Sequence, residues 1–211
     1  MPKLNVPPTK SNQLRLQDDL KTASEGFSLL DQKREILVME LMRLMDRVKR
    51  AQKRLDTARE KAFTTGRKAI VKNGYHSMRR VANGIHYDHS VTVRVRVVAG
   101  IRLPDITTES GALTRQFGLA QTDSLVDATM VDFLDLLDAV GEMAQLETSV
   151  WLLARELKKT QRRVNALERI FIPDFKDTLR YIGETLESKE LEAFSMMKMI
   201  KSRREEEDDH E

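Results

Sequence analysis

The chain of 211 residues has no cysteine, which excludes a disulfide framework and thiolate chemistry. Only 5% of its residues are aromatic while 33% are charged, a poor supply for one compact globule of this length. Prolines number five and none stands between Pro8 and Pro104, so no proline interrupts a long helix there, and it is the glycines Gly66, Gly74 and Gly84 that mark its end. No run approaches the ~20 apolar residues of a membrane span, and residues 1–10 lack the apolar core of a signal peptide. The expectation is a soluble protein that meets a membrane only through partners. Basic residues number 36 and acidic ones 33, and the two signs are interspersed, which describes a solvated helix exterior better than a nucleic-acid surface.

What the sequence does have is a seam. From Leu16 to Ala69 apolar residues recur at alternating steps of four and three, through Leu20, Ala23, Phe27, Leu30, Leu37, Leu41, Leu44, Val48, Ala51, Leu55, Ala58 and Ala62. Arg34 and Thr65 are the two exceptions. A repeat of 3.5 residues held this long keeps one face of a helix against a partner helix and imposes a left-handed supercoil. The spacing predicts a helix over residues 11–72, roughly 90 Å long at 1.5 Å per residue. Residues 1–10, with Pro7 and Pro8, read as an irregular lead to a cap at Thr9 or Ser11.

Residues 73–121 change rhythm. Val91, Val93, Val95 and Val97 alternate with Thr92, Arg94 and Arg96, the period of a strand with one apolar face. A turn at Ala99 and Gly100 leads to a partner strand carrying Pro104, so the segment 91–106 predicts a short hairpin. Two strands alone are marginal, and this hairpin needs the helices or another chain to rest on.

A second helical stripe occupies residues 122–204. It runs through Val126, Phe133, Leu136, Val140, Met143, Leu146, Val150, Leu153, Leu157, Val164, Leu167 and Phe171, with Thr129 and Thr160 between. The double step of three from Val140 to Leu146 reads as a stammer, and Phe171, Phe175 and Leu179 as a stutter beside Pro173, where the helix should bend or lose a hydrogen bond. Residues 205–211 form an acidic tail. The fold class is therefore all-α dominated: a long antiparallel two-helix left-handed coiled coil, with a short β-hairpin and small helical segments in the middle. Leu44 should face Val150 and Trp151, and the hairpin should lie near the end opposite the termini. Trp151 should pack at the seam edge, the alternative being an anchor for a separate subunit.

Nothing in the sequence has the spacing of a catalytic centre, a phosphate loop or a cofactor site. His86 and His89 have metal-ligand chemistry, but His76 and His210 complete no site with them, and a polar loop is the reading. Two basic clusters, Arg67 with Lys68, Lys72, Arg79 and Arg80, and Lys158 with Lys159, Arg162 and Arg163, lack stacking aromatics and read as coiled-coil flanks, the alternative being a surface for an acidic protein partner.

The strings Asn5-Val-Pro-Pro-Thr-Lys-Ser-Asn-Gln-Leu-Arg-Leu, Gly26-Phe-Ser-Leu-Leu-Asp-Gln-Lys-Arg-Glu-Ile-Leu and Arg163-Val-Asn-Ala-Leu-Glu-Arg-Ile-Phe-Ile-Pro resemble the D subunit of the archaeal and bacterial A/V-type rotary ATPases. The resemblance implies a non-catalytic central rotor shaft with no cofactor. Its implied partners are the A and B subunits of the catalytic hexamer, the F subunit along the shaft and the C (d) subunit below, at the cytoplasmic face of a membrane. It implies hexamer-facing segments at 10–33 and 173–204, with Arg15, Lys21, Lys198, Lys201, Arg203 and Arg204 as candidate contacts. Residues 66–121 would serve the lower contacts, and Val91, Val93, Val95 and Val97 would belong to a coupling hairpin. The alternative with the same order of elements is a prefoldin-like coiled-coil chaperone subunit.

Overall fold

The computed structural model describes residues 6–85, 89–110 and 123–208. Its elements are α1 (Lys10–Asn73), α2 (Tyr75–Gly84), β1 (His89–Val98), β2 (Ile101–Ser110) and α3 (Ser124–Ala166), then a π-helical turn (Leu167–Phe171) and α4 (Ile172–Asp208). The chain divides into two compact units, Met1–Arg34 with Lys158–Glu211, and Glu35–Leu157.

Helix α1 starts where its donors find an oxygen. The hydroxyl of Thr9 accepts from the Asn12 N–H at 3.3 Å, so Thr9 rather than Ser11 is the cap. It ends at Gly74, whose φ of +79° suits a residue without a Cβ and whose N–H donates to the Ile70 carbonyl at 2.9 Å. Along the 4,3 line from Leu16 to Ala69 no residue is exposed, and Leu37, Ala62 and Ala69 are fully buried. Arg34, the charged exception, is tied to Asp31 one turn back at 2.7 Å.

In the unit Glu35–Leu157, α1 and α3 run antiparallel. Arg54 meets Glu142 at 2.8 Å, Lys61 meets Asp132 at 2.8 Å, and Lys72 pairs with Asp123, which caps α3 by accepting from the Ser124 N–H. The core joins Leu37, Leu44 and Ala51 of α1 to Leu146 and Leu153 of α3, with Leu103 of β2 added and Val150 packed against it. Leu44 and Val150 therefore share one core. Trp151 does not enter it: it is 59% exposed, with the Arg155 guanidinium 5.5 Å from its ring centroid.

The α3 seam also differs from the apolar stripe read in the sequence. Val140 is 45% exposed and Phe133 41%, while Ala139 and Asp132 beside them are buried. With those two in place the seam runs Thr129, Asp132, Leu136, Ala139, Met143, Leu146, Val150, Leu153, Leu157, Thr160, Val164 and Leu167, all buried or half-buried. Steps of three and four alternate without a break. There is no stammer; at two places the larger apolar residue misleads, because Asp132 has polar partners inside and alanine allows close approach.

The hairpin lies beside these helices, not beyond their end. β1 and β2 pair antiparallel from His89↔Ser110 to Val98↔Ile101, around a turn in which Ala99 and Gly100 both have positive φ, as a two-residue I′ connection requires. Leu103 is buried in the helical core, Gln145 donates to Asp105 at 2.8 Å, and Arg96 approaches Glu40 at 3.7 Å. A Cβ built on Gly141 would stand 3.0 Å from the Thr108 methyl, so β2 uses the missing side chain to come close to α3.

In the unit formed by Met1–Arg34 and Lys158–Glu211, Leu16, Thr160, Val164, Thr178 and Ile182 are buried. Thr178 satisfies its hydroxyl on the Asp174 carbonyl at 2.7 Å and so behaves as an apolar surface. Before Pro173 the helix widens: the Ile172 N–H donates to the Leu167 carbonyl, five residues back. Such a turn relieves the clash between a proline ring and the carbonyl four residues earlier. Helix α4 continues to Asp208, further into the acidic run than the sequence marked.

Candidate functional site

The surfaces, rather than a cleft, carry the chemistry of this chain. Among the described residues no group of three or more His, Cys, Asp or Glu side chains converges as for a metal ion. His86 and His210 lie outside the described residues, and His89 opens β1. No helix is long and apolar enough to cross a membrane, among the described residues.

The polar network between α1 and α3 is the one buried ionic feature among the described residues. Asp132, with a side chain 6% exposed, accepts from Lys61 Nζ on one oxygen and from Thr65 Oγ1 on the other, each at 2.8 Å. The Lys61 hydrogen bond, then that of Thr65, hold its carboxyl below the ordinary carboxylate range against the opposing effect of burial. The same bond pushes the Lys61 ammonium up. Toward the end of the pair, the Lys72 bond and the Ser124 N–H lower Asp123. These groups hold two helices together.

Three surfaces face outward. The first is the end of α4. Gly183 comes close to Gln13, near the start of α1, and every residue from 187 to 203 is exposed, about 25 Å of helix at 1.5 Å per residue. It displays Leu191, Phe194, Met196, Met197, Met199 and Ile200, each more than half exposed, together with the exposed Lys198, Lys201 and Arg203. Arg204 lies in α4, and its side chain is outside the described residues. Arg15 and Lys21 are exposed on the first turns of α1.

The second is the outer face of the hairpin. Val91, Val93, Val95 and Val97 are 53% to 63% exposed. The alternation was legible, but its direction was not: Leu103 and Arg96, a directly opposed pair, face the helices, so the valines point away. The third is an apolar cavity of about 630 Å³ where α1, α2 and α3 meet, lined by Ile70, Tyr75, Met78, Val126 and Phe133 with Arg67 and Arg79 at its border. Both basic clusters named above are exposed throughout.

Comparison with known proteins agrees with this anatomy. Residues 12–202 match the family model for the D subunit of ATP synthase. The D subunit of the V-type ATP synthase of Thermotoga neapolitana is 32% identical over 95% of this chain and 98% of its own length. The D subunit of the A-type ATP synthase of Methanosphaera stadtmanae is 31% identical over 93% of each chain. A V-type ATP synthase D subunit of Treponema pallidum is 34% identical over 96% of this chain and 97% of its own.

Proposed function

This chain belongs to the family of ATP synthase D subunits, and from that premise we propose that it is the central rotor shaft of a V/A-type ATPase. It is a non-catalytic stalk subunit; in this reading ATP is hydrolysed or made on the A and B subunits. The work of the chain is to carry torque between that hexamer and an ion-translocating membrane ring, on the cytoplasmic face.

The observation that carries this reading is the unbroken heptad of α1 matched by the unbroken heptad of α3. A shaft must resist twist, and in the unit Glu35–Leu157 two helices sharing one seam supply that stiffness. The outward surfaces fit the partners. Segments 10–33 and 173–204 face the hexamer in this reading, the exposed α4 end giving a mostly apolar bearing that turns against a collar without deep interlock. Arg15, Lys21, Lys198, Lys201, Arg203 and Arg204 meet acidic loops through long-range attraction, which orients without locking. The F subunit takes the shaft and hairpin, and the C (d) subunit the lower end around α2.

Co-expression with the A, B and F subunits tests the assignment. The chain should co-purify with the hexamer, and replacing its six candidate cations by glutamine should reduce rotation-coupled ATPase activity. Recovery of the hexamer and the F protein without this chain would remove the reading.

A further inference from the structure

Helix α2 has an apolar face with nothing packed into it. Tyr75, Met78, Val81, Ala82 and Ile85 project within about 120° of one another at 3.6 residues per turn, and Arg79 stands at the border of that arc. An amphipathic helix ordinarily buries such a face, yet no residue of α2 is buried. All five residues instead line the cavity of about 630 Å³ that separates α2 from α1 and α3.

The opposite wall is apolar too. Phe63, Gly66 and Ile70 of α1 meet Val126, Met130 and Phe133 of α3 there, all within the unit Glu35–Leu157. The Phe63 and Phe133 rings pack edge to face with centroids 5.6 Å apart, and a Cβ on Gly66 would stand 3.4 Å from the Phe133 ring. Thr129 adds its methyl, because its hydroxyl donates to the Leu125 carbonyl at 2.6 Å. Cavities of roughly 300–1,000 Å³ with such walls are where proteins hold small ligands, and an apolar void takes apolar guests in preference to water. Charge enters at the border, with Arg67 and Arg79. The Arg67 Nε donates to the Phe63 carbonyl at 3.3 Å, which leaves its terminal nitrogens for another acceptor. Neither arginine takes part in an ion pair among the described residues.

We propose that this cavity binds a single-chain fatty acid, with its alkyl chain between α2 and the α1–α3 wall and its carboxylate at the border, between Arg67 and Arg79. The walls meet the chain with carbon, and two guanidiniums offer the carboxylate charge-assisted hydrogen bonds. A polar solute has no partner along those walls, and a neutral apolar one leaves the arginines unanswered. The bound chain supplies the packing that the apolar face of α2 lacks and so fixes α2 against the helix pair. The inference goes beyond the rotary reading and holds for the chain on its own.

Calorimetric titration of the full chain with octanoate, decanoate and dodecanoate, each below its micelle concentration, tests the site, with decanol as the uncharged comparison. One acid should bind per chain, and each extension by two carbons should tighten binding about ten-fold, since a buried methylene contributes about four-fold. Arg67→Gln with Arg79→Gln should weaken decanoate by about ten-fold or more and leave decanol unchanged. Val81→Trp, which fills the cavity from α2, should abolish binding of both. Where it lowers the helical signal of the free chain, Met130→Trp fills the cavity from α3 instead. A diazirine-bearing decanoate should label peptides within residues 75–85 or 126–134. Absence of binding, affinity that does not rise with chain length, binding that survives the tryptophan variants, or labelling confined to other peptides overturns the site. Equal loss of decanoate and decanol in the double glutamine variant overturns the place given to the carboxylate.

Discussion

Thr65 on α1 donates its hydroxyl to Asp132 on α3 at 2.8 Å, and these are polar residues at facing positions of two otherwise mostly apolar seams. Thr65 is one of the two exceptions in the α1 repeat, and Asp132 is the charged residue in its α3 counterpart. Each answers the other, with Lys61 completing the carboxylate.

A pair of this kind costs more to halve than to replace. Asp132→Ala leaves Thr65 without its interhelical acceptor and should lower stability by about 1–3 kcal/mol. Thr65→Val with Asp132→Leu removes both polar groups together and should be neutral or stabilising. Urea unfolding of the two variants measures the difference, and equal losses in both would contradict the pairing.

The same groups set an acid limit. Asp132 and Asp123 titrate below the ordinary 3.8, so their stabilisation is complete above that value and is lost as pH falls through their depressed values. Lys61 titrates above 10.5, and its stabilisation is present below that value and lost as pH rises through the raised one. Melting temperature should therefore be level between about pH 5 and 9 as far as these groups act. Asp132→Asn should flatten the acid limb, and an unchanged limb would contradict the assignment.

Leu103 fixes the hairpin to the helices. It is 1% exposed among Leu44, Leu146 and Leu153, and Leu103→Ala should cost about 2–5 kcal/mol, the usual range for a buried leucine. Val95→Thr, on the 63% exposed outer face, should change stability by less than about 0.5 kcal/mol. Amide exchange of β1 and β2 should quicken in the first variant only. Equal protection in both would place the hairpin's anchor elsewhere.

These residues also show what a single sequence carries. The α1 seam was legible because its apolar residues fall on one strict line and Arg34 has its partner one turn away. The α3 seam was legible only in part. Phe133 and Val140 each stand one residue off the seam, and their size suggests them ahead of Asp132 and Ala139. Continuing the alternation of three and four backward from Leu146 reaches both correct residues, and that signal was available. The partners that make a buried aspartate tolerable were not, since Thr65 stands 67 positions away in sequence. Hairpin orientation was hidden for a similar reason: alternation marks two faces, and Leu103 against the helical core decides which is inner. The widened turn before Pro173 is a local answer to proline chemistry, where the sequence alone left a bend or a lost hydrogen bond open.

Rotation itself tests the central claim most directly. Val71, 86% exposed near the end of α1, provides through Val71→Cys a unique attachment point for a bead in a chain without other cysteines. With the A and B hexamer fixed to a surface and ATP supplied, the bead should turn in one direction in steps that follow hydrolysis. Continued ATP hydrolysis with a bead that only fluctuates about a fixed angle would contradict the shaft.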